Sequence, residues 1–142
     1  MTTFPKDVLA RLIATTVTSI ILAAPEARAD PIFDEQGPFR PGEGFGIPAT
    51  CATMPDWIDR APEYHGRISM VIEGPIAESH WDGALAYLIM CQPDEVQVMC
   101  VTYYRKDADD EPVQFAGGYN RVGERQIMLD PCLVYPVGAA PD

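Results

Sequence analysis

Basic charge is scarce in this chain, and so are the side chains that most often do chemistry near neutral pH. Ten lysines and arginines face 21 aspartates and glutamates, and there are two histidines in 142 residues. A field of that sign opposes phosphate backbones, whose recognition rests on Lys and Arg, and opposes anionic membrane surfaces, so no nucleic-acid partner is expected. With His65 and His80 alone, and without C-x-x-C, C-x-x-C-H or zinc-type spacing, the sequence holds no thioredoxin-like redox pair, no haem attachment and no zinc ligand set. No G-x-S-x-G elbow surrounds a serine, and Gly117-Gly118 is an isolated pair inside a strand pattern rather than a phosphate-cradling loop. No cofactor or metal is therefore expected, and no catalytic residue is assigned. A long helical period is missing as well. The apolar stretch from Leu12 to Ala24 covers 13 residues, short of the roughly 20 that cross a bilayer.

That stretch reads as part of a secretory leader. Lys6 and Arg11 precede it, Pro25-Glu26 breaks it, and Ala27-Arg28-Ala29 supplies a small-x-small cleavage signal, so residues 1–29 are expected to be removed, leaving no membrane span. A buried helix is the poorer reading, because Thr15, Thr16, Val17 and Thr18 are weak helix formers. Cleavage takes three of the ten basic residues (Lys6, Arg11, Arg28) and two of the 21 acidic ones (Asp7, Glu26). Seven then face nineteen, a net charge of about −12. All four cysteines lie beyond the cleavage point, and their even number in an exported chain implies two disulfides and a periplasmic or secreted location. Of the three possible connectivities, the expected one joins Cys91 to Cys100 across a hairpin and Cys51 to Cys132, tying an N-terminal arm to the end of the domain.

Residues 30–66 form that arm and a short lid. Asp30 to Pro48 is dense in Pro and Gly, has no period, and should form no regular element, although Phe33, Phe39 and Phe45 can dock as anchors. Two prolines between Cys51 and Gly66 limit any helix to about a turn near Asp56 to Arg60, with Asp56 as its cap and Trp57 and Ile58 packed beneath it.

Residues 67–133 read as an all-β domain. Ile68, Met70 and Ile72 alternate with Ser69, Val71 and Glu73, the period of two of a half-buried strand, and Gly74-Pro75 should bend it before Ile76 to Ser79. His80-Trp81-Asp82-Gly83 is a turn by its Asp-Gly pair. Ala84 to Cys91 is apolar throughout and is expected to be covered on both faces; two helical turns are its alternative. Gln92 to Glu95 turns the chain into a third strand, Val96 to Tyr104. Arg105 to Pro112 is a charged connector too short for a packed helix; its Asp107, Asp109, Asp110 and Glu111 lack EF-hand spacing and read as a solvated turn. A fourth strand runs from Val113 through Gly117-Gly118 to Val122. A tight turn at Gly123-Glu124 leads to a fifth, Arg125 to Asp130. Ile68, Met70, Ile72, Val98, Val113, Phe115, Ile127 and Leu129 are the expected inward set, and residues 134–142 a tail.

Five strands, the first long and bent, with a short turn between the last two, resemble the OB-fold, a partly open five-stranded Greek-key barrel. The expected architecture is thus a small five-stranded antiparallel barrel, with an open meander or a sandwich as the alternative. The resemblance departs at the connector, where that fold commonly carries a helix. It implies a binding module that contacts an envelope protein, peptide or glycan through its second and third strands and the loops after its first and fourth. Tyr87, Tyr103 and Tyr104 are candidates for that face. His80, Trp81 and Asp82 form the candidate centre, because strand geometry asks only for the Asp-Gly pair there, with Tyr103, Tyr104, Arg121 and Arg125 as expected neighbours. A small hydrolase or metal-dependent enzyme built on His80 and Asp82 is the alternative. His65, beside a glycine, reads as a surface turn residue.

Overall fold

The computed structural model describes residues 22–24 and 32–140; apart from 22–24, the expected leader and its cleavage signal lie outside them. The elements are β1 (Phe39–Pro41), β2 (Ala49–Thr50), α1 (Met54–Ile58), β3 (Ile68–Trp81), β4 (Ala86–Met90), β5 (Gln97–Thr102), β6 (Pro112–Gly123) and β7 (Gln126–Pro136). Among the described residues no helix is long and apolar enough to cross a membrane.

β3, β4 and β5 follow one another antiparallel, and β6 returns by the connector to pair with β3, giving the spatial order β6-β3-β4-β5 of a Greek key. β7 then closes the ring, antiparallel to β6 and parallel to β5. The fold is all-β, as expected, but the barrel is mixed rather than antiparallel. A closed ring whose strands all run against their neighbours needs an even number of strands. Five force one parallel contact, and it falls between β5 and β7.

β3 changes partner where the sequence places its bend. It pairs with β6 as far as Pro75↔Pro112 and with β4 from Ile76↔Met90 onward, with a register shift between Ile76 and Glu78. On the edge that β4 does not reach, β1 pairs with Ile68 to Met70 and β2 with Ile72 and Glu73. The arm is therefore not irregular throughout, because its two short strands complete an otherwise open edge. Its turn is held by one guanidinium: Arg40 donates to the carbonyls of Asp34, Glu35, Gly37 and Phe39.

The core runs through Met70, Ile72, Ile76, Leu88, Met90, Val98, Phe115, Ile127 and Leu129, all at or below 2 % exposure. Of the expected inward set only Ile68, at the barrel's edge, is partly exposed. Met54 and Ile58 close the barrel beneath α1. Trp57 is half-buried against Gly37, where a Cβ would come within 2.8 Å of its ring, and Arg60 stacks 4.4 Å from it. Asp56 sits in the first turn; Thr53 occupies the cap position instead.

Two disulfides form, but the pairing differs from the expected one: Cys51–Cys91 and Cys100–Cys132, each with 5.4 Å between Cα atoms. Register explains why. Cys100 faces Leu88 and Val98 faces Met90, so Cys91 stands about three residues, roughly 10 Å, along the strands from Cys100, beyond a disulfide's reach. The first bridge fastens the arm to the end of β4. The second joins β5 to β7 just past Cys100↔Leu129, where their ladder ends. Two disulfides fit an oxidising extracellular compartment.

β7 runs to Pro136, past the expected stop at Pro131. Its register against β6 shifts between Gly117 and Tyr119, opposite Asp130 and Pro131. A Cβ on Gly117 would lie 2.3 Å from the Pro131 carbonyl oxygen and one on Gly118 2.6 Å from that of Asp130, so this glycine pair admits a close strand approach.

Candidate functional site

Alternation along β4, β5 and β7 sends Ala86, Leu88, Met90, Val98, Cys100, Ile127 and Leu129 inward, and Tyr87, Ile89, Met99, Val101 and Met128 outward. The outward set is in register: Tyr87 faces Val101, Ile89 faces Met99, and Met99 faces Met128. These five side chains are partly exposed, which corrects the expectation that Ala84 to Cys91 is covered on both faces. Among the described residues no further element pairs over the outer face of β4, which stays partly exposed. A shallow hollow of about 690 Å³ lies on it, bordered by Glu78, Ser79, His80, Tyr87, Ile89 and Met99.

His80 and Trp81 belong to β3, opposite Tyr87 and Ala86, rather than to a turn. The turn begins at Asp82 and is made by that residue and Gly83, whose φ of +104° suits glycine. Asp82 Oδ1 accepts from the backbone N–H groups of Ala84 and Leu85, each at 2.8 Å, while Oδ2 accepts from the Tyr87 hydroxyl at 2.9 Å. The Leu85 and Ala84 amides, followed by the Tyr87 hydroxyl, hold its carboxyl below the ordinary range. In return the carboxylate raises Tyr87. Both oxygens of Asp82 thus shape the loop. His80 leans on Tyr87, ring centroids 6.2 Å apart, and Trp81 is half-buried against the core with the Arg105 guanidinium 5.4 Å from its ring.

Tyr103 and Tyr104 follow β5 and are 76 % and 72 % exposed. They stand at the end of β5 that adjoins the β3–β4 turn, so the structure brings them toward the His80, Trp81 and Asp82 group. Arg121 and Arg125 are elsewhere. Arg121 donates to the carbonyls of Gly123, Glu124 and Ile58 and stands 3.8 Å from Asp59; Arg125 donates to the Asp94 carbonyl at 2.6 Å. Both secure turns at the other end of β4.

A second concave region opens where β7 diverges from β5. One hollow of about 690 Å³ lies among Thr102, Tyr104, Arg105, Lys106, Val134 and Tyr135, and an adjoining one of about 600 Å³ among Phe45, Arg67, Val101, Tyr103, Leu133 and Tyr135. Leu133 and Tyr135 belong to both. Sequence reasoning missed Leu133, because the fifth strand is expected to stop at Pro131, Tyr135, because residues 134–142 read as a tail, and Arg105 and Lys106, because their connector reads as a solvated turn. It also missed Ile89, Met99 and Met128; the available signal was strands apolar on both faces with no further element left to cover the outer one. Among the described residues no three His, Cys, Asp or Glu side chains converge to hold a metal ion. Compared with protein-family models, curated proteins and solved structures, the chain has no significant match in any of the three.

Proposed function

We propose that this chain is an exported binding module, periplasmic or secreted, on an OB-like barrel, and that it contacts a protein or peptide partner through the outer face of β4, β5 and β7. The carrying observation is the in-register apolar row Tyr87–Val101 and Ile89–Met99–Met128, partly exposed in a protein whose other barrel face is covered. Contiguous exposed apolar surface on a soluble domain marks interaction sites. The Greek-key order, the bent first barrel strand and closure by a fifth strand support the OB-like reading, and that architecture uses its second and third strands for binding. A charge near −12 on the mature chain favours basic or neutral partners over nucleic acid. A glycan is the less favoured occupant, since the row offers aliphatic and thioether side chains around a single tyrosine.

Enzymatic use of His80 and Asp82 has less support. An orienting carboxylate must reach its base, and here both Asp82 oxygens are engaged by Ala84, Leu85 and Tyr87. The test is capture from envelope extract with the mature domain beside a Met99→Ala, Ile89→Ala variant. Lost capture at an unchanged unfolding midpoint is the expected result. Equal capture by the variant, or none by the wild type, counts against this reading.

A further inference from the structure

The seam between β5 and β7 offers backbone as well as side chains. β7 pairs with β6 almost throughout, but with β5 only as far as Leu129. From Cys132 to Tyr135 its other edge meets no strand, and no backbone hydrogen bond outside the ladders reaches these residues among those described. In place of a strand lies the groove formed by the two adjoining hollows, with Tyr103, Tyr104 and Lys106 on its far wall. The Cys100–Cys132 bridge fixes the separation of the strands at its mouth.

Charge along this groove is mixed, Arg105, Lys106 and Glu111 bordering one hollow and Arg67, Glu43 and Asp130 the other, but its cations differ in how they are engaged. Arg40, Arg60, Arg121 and Arg125 are bonded to carbonyls or carboxylates, and Arg67 stands 4.0 Å from Glu43. Among the described residues Arg105 and Lys106 are the two cations without an acceptor: Arg105 stacks on Trp81, and the half-buried Lys106 has no side-chain partner. Both line the groove, with Glu111 on the same lip.

Resting on the reading of the domain as a binding module, we infer that the groove takes an extended polypeptide segment that adds a short strand to the free edge of β7 and presents a carboxylate to Arg105 and Lys106. Strand addition supplies affinity through main-chain bonds and specificity through alternate side chains. A hydrocarbon ligand would cover the edge's donors and acceptors without pairing them, at a cost of a few kcal/mol per group. A second copy of this chain would bring a like net charge of −11 against the first. Pro131 and Pro136 bracket the edge and have no N–H to give, so the added ladder is confined to Cys132–Tyr135.

A random library of peptides about seven residues long, the span of a typical strand with a margin, is panned on the mature domain. Selected peptides are then synthesised with single N-methyl amides. Selected binders should carry an acidic side chain or a free terminus, lose roughly tenfold or more in affinity on N-methylation at alternate positions, and lose a similar factor against Arg105→Gln, Lys106→Gln. Neutralising the peptide carboxylate should make wild type and double variant equivalent. No selected binder, indifference to N-methylation, or a concentration-dependent dimer that displaces the peptides overturns the inference. If it falls while Met99→Ala, Ile89→Ala still abolishes envelope capture, the binding-module reading stands; if neither variant pair changes binding, both fall.

Discussion

The two sides of the barrel are built from similar strands and end in different states. On the side of β3 and β6 the inward Met70, Ile72 and Phe115 are buried, and so are the outward Ser69, Val71, Gln114 and Ala116. The arm and the C-terminal segment lie over them: the Ser69 hydroxyl donates to the Gly42 carbonyl, Phe45 shares a hollow with Ala116, and Ala140 N–H donates to Gln114 Oε1 at 3.3 Å. On the side of β4, β5 and β7 the outward Tyr87, Ile89, Met99, Val101 and Met128 are more apolar and yet remain partly exposed. Strand chemistry alone therefore does not set burial. The difference teaches that the arm is part of the domain, and that the side it leaves bare is the one to examine for function.

Removing one disulfide at a time is the strongest way to break this comparison. The sequence separations are 40 and 32 residues, so loop-closure entropy gives each bridge a similar contribution of about 4 kcal/mol. What each holds differs. Cys51→Ala, Cys91→Ala should release the arm, raising amide exchange in β1 and β2 while β4 and β5 stay protected. Cys100→Ala, Cys132→Ala should instead loosen the β5–β7 seam. Equal exchange of the arm in both variants would mean that the bridge is not what distinguishes the covered side.

Point substitutions sharpen the contrast at a smaller scale. Val71→Ala removes two methyl groups from a fully buried site and should cost about 2 kcal/mol by chemical denaturation, whereas Met99→Ala on the bare side should cost under about 1 kcal/mol. Gln114 is buried and spans the covered face, donating to Glu73 Oε2 at 2.9 Å and accepting from Ala140. Gln114→Ala should therefore cost about 1 to 2 kcal/mol. Similar losses for Val71→Ala and Met99→Ala would erase the distinction between the sides.

Much of the barrel was legible in the sequence because a period of two and turn residues are local signals. Gly74-Pro75 marked where β3 changes partners, and Phe115, Ile127 and Leu129 were placed inward. Parallel pairing of β5 with β7 was not legible, since strand direction around a ring is a property of closure rather than of any one segment. Disulfide pairing depended on register for the same reason. β1 and β2 were hidden because two or three residues beside Pro and Gly carry no period, and they become strands only when β3 presents an open edge. At the candidate site, His80, Trp81, Asp82, Tyr103 and Tyr104 were read from composition and turn chemistry, and they fall in one region. Arg121 and Arg125 are expected beside them, while the fold sets them at other turns. Leu133, beyond the expected strand end, and Tyr135, in the expected tail, escape the sequence because a proline at 131 usually ends a strand and here stands at a bulge.

The smallest effect concerns the turn at the edge of the bare side. Asp82 is exposed and its carboxyl is held below the ordinary range by the Leu85 and Ala84 amides and the Tyr87 hydroxyl. An acid whose folded value lies below its unfolded one stabilises the fold fully above the ordinary carboxylate range, and that contribution fades as pH falls through the lowered folded value. Wild type and Asp82→Asn should therefore differ in turn protection at neutral pH and converge in acid. A carboxyl-carbon NMR titration should place Asp82 below the ordinary carboxylate range, and Tyr87→Phe should move it part of the way back. His80, the least of the groups acting on it, should matter little, so His80→Gln should leave the midpoint close to that of wild type. A midpoint for Asp82 at or above the ordinary value would show that the carboxylate does not cap the turn, and a large rise in His80→Gln would show that it pairs with His80 instead, returning the His80–Asp82 pair to consideration as a chemical unit.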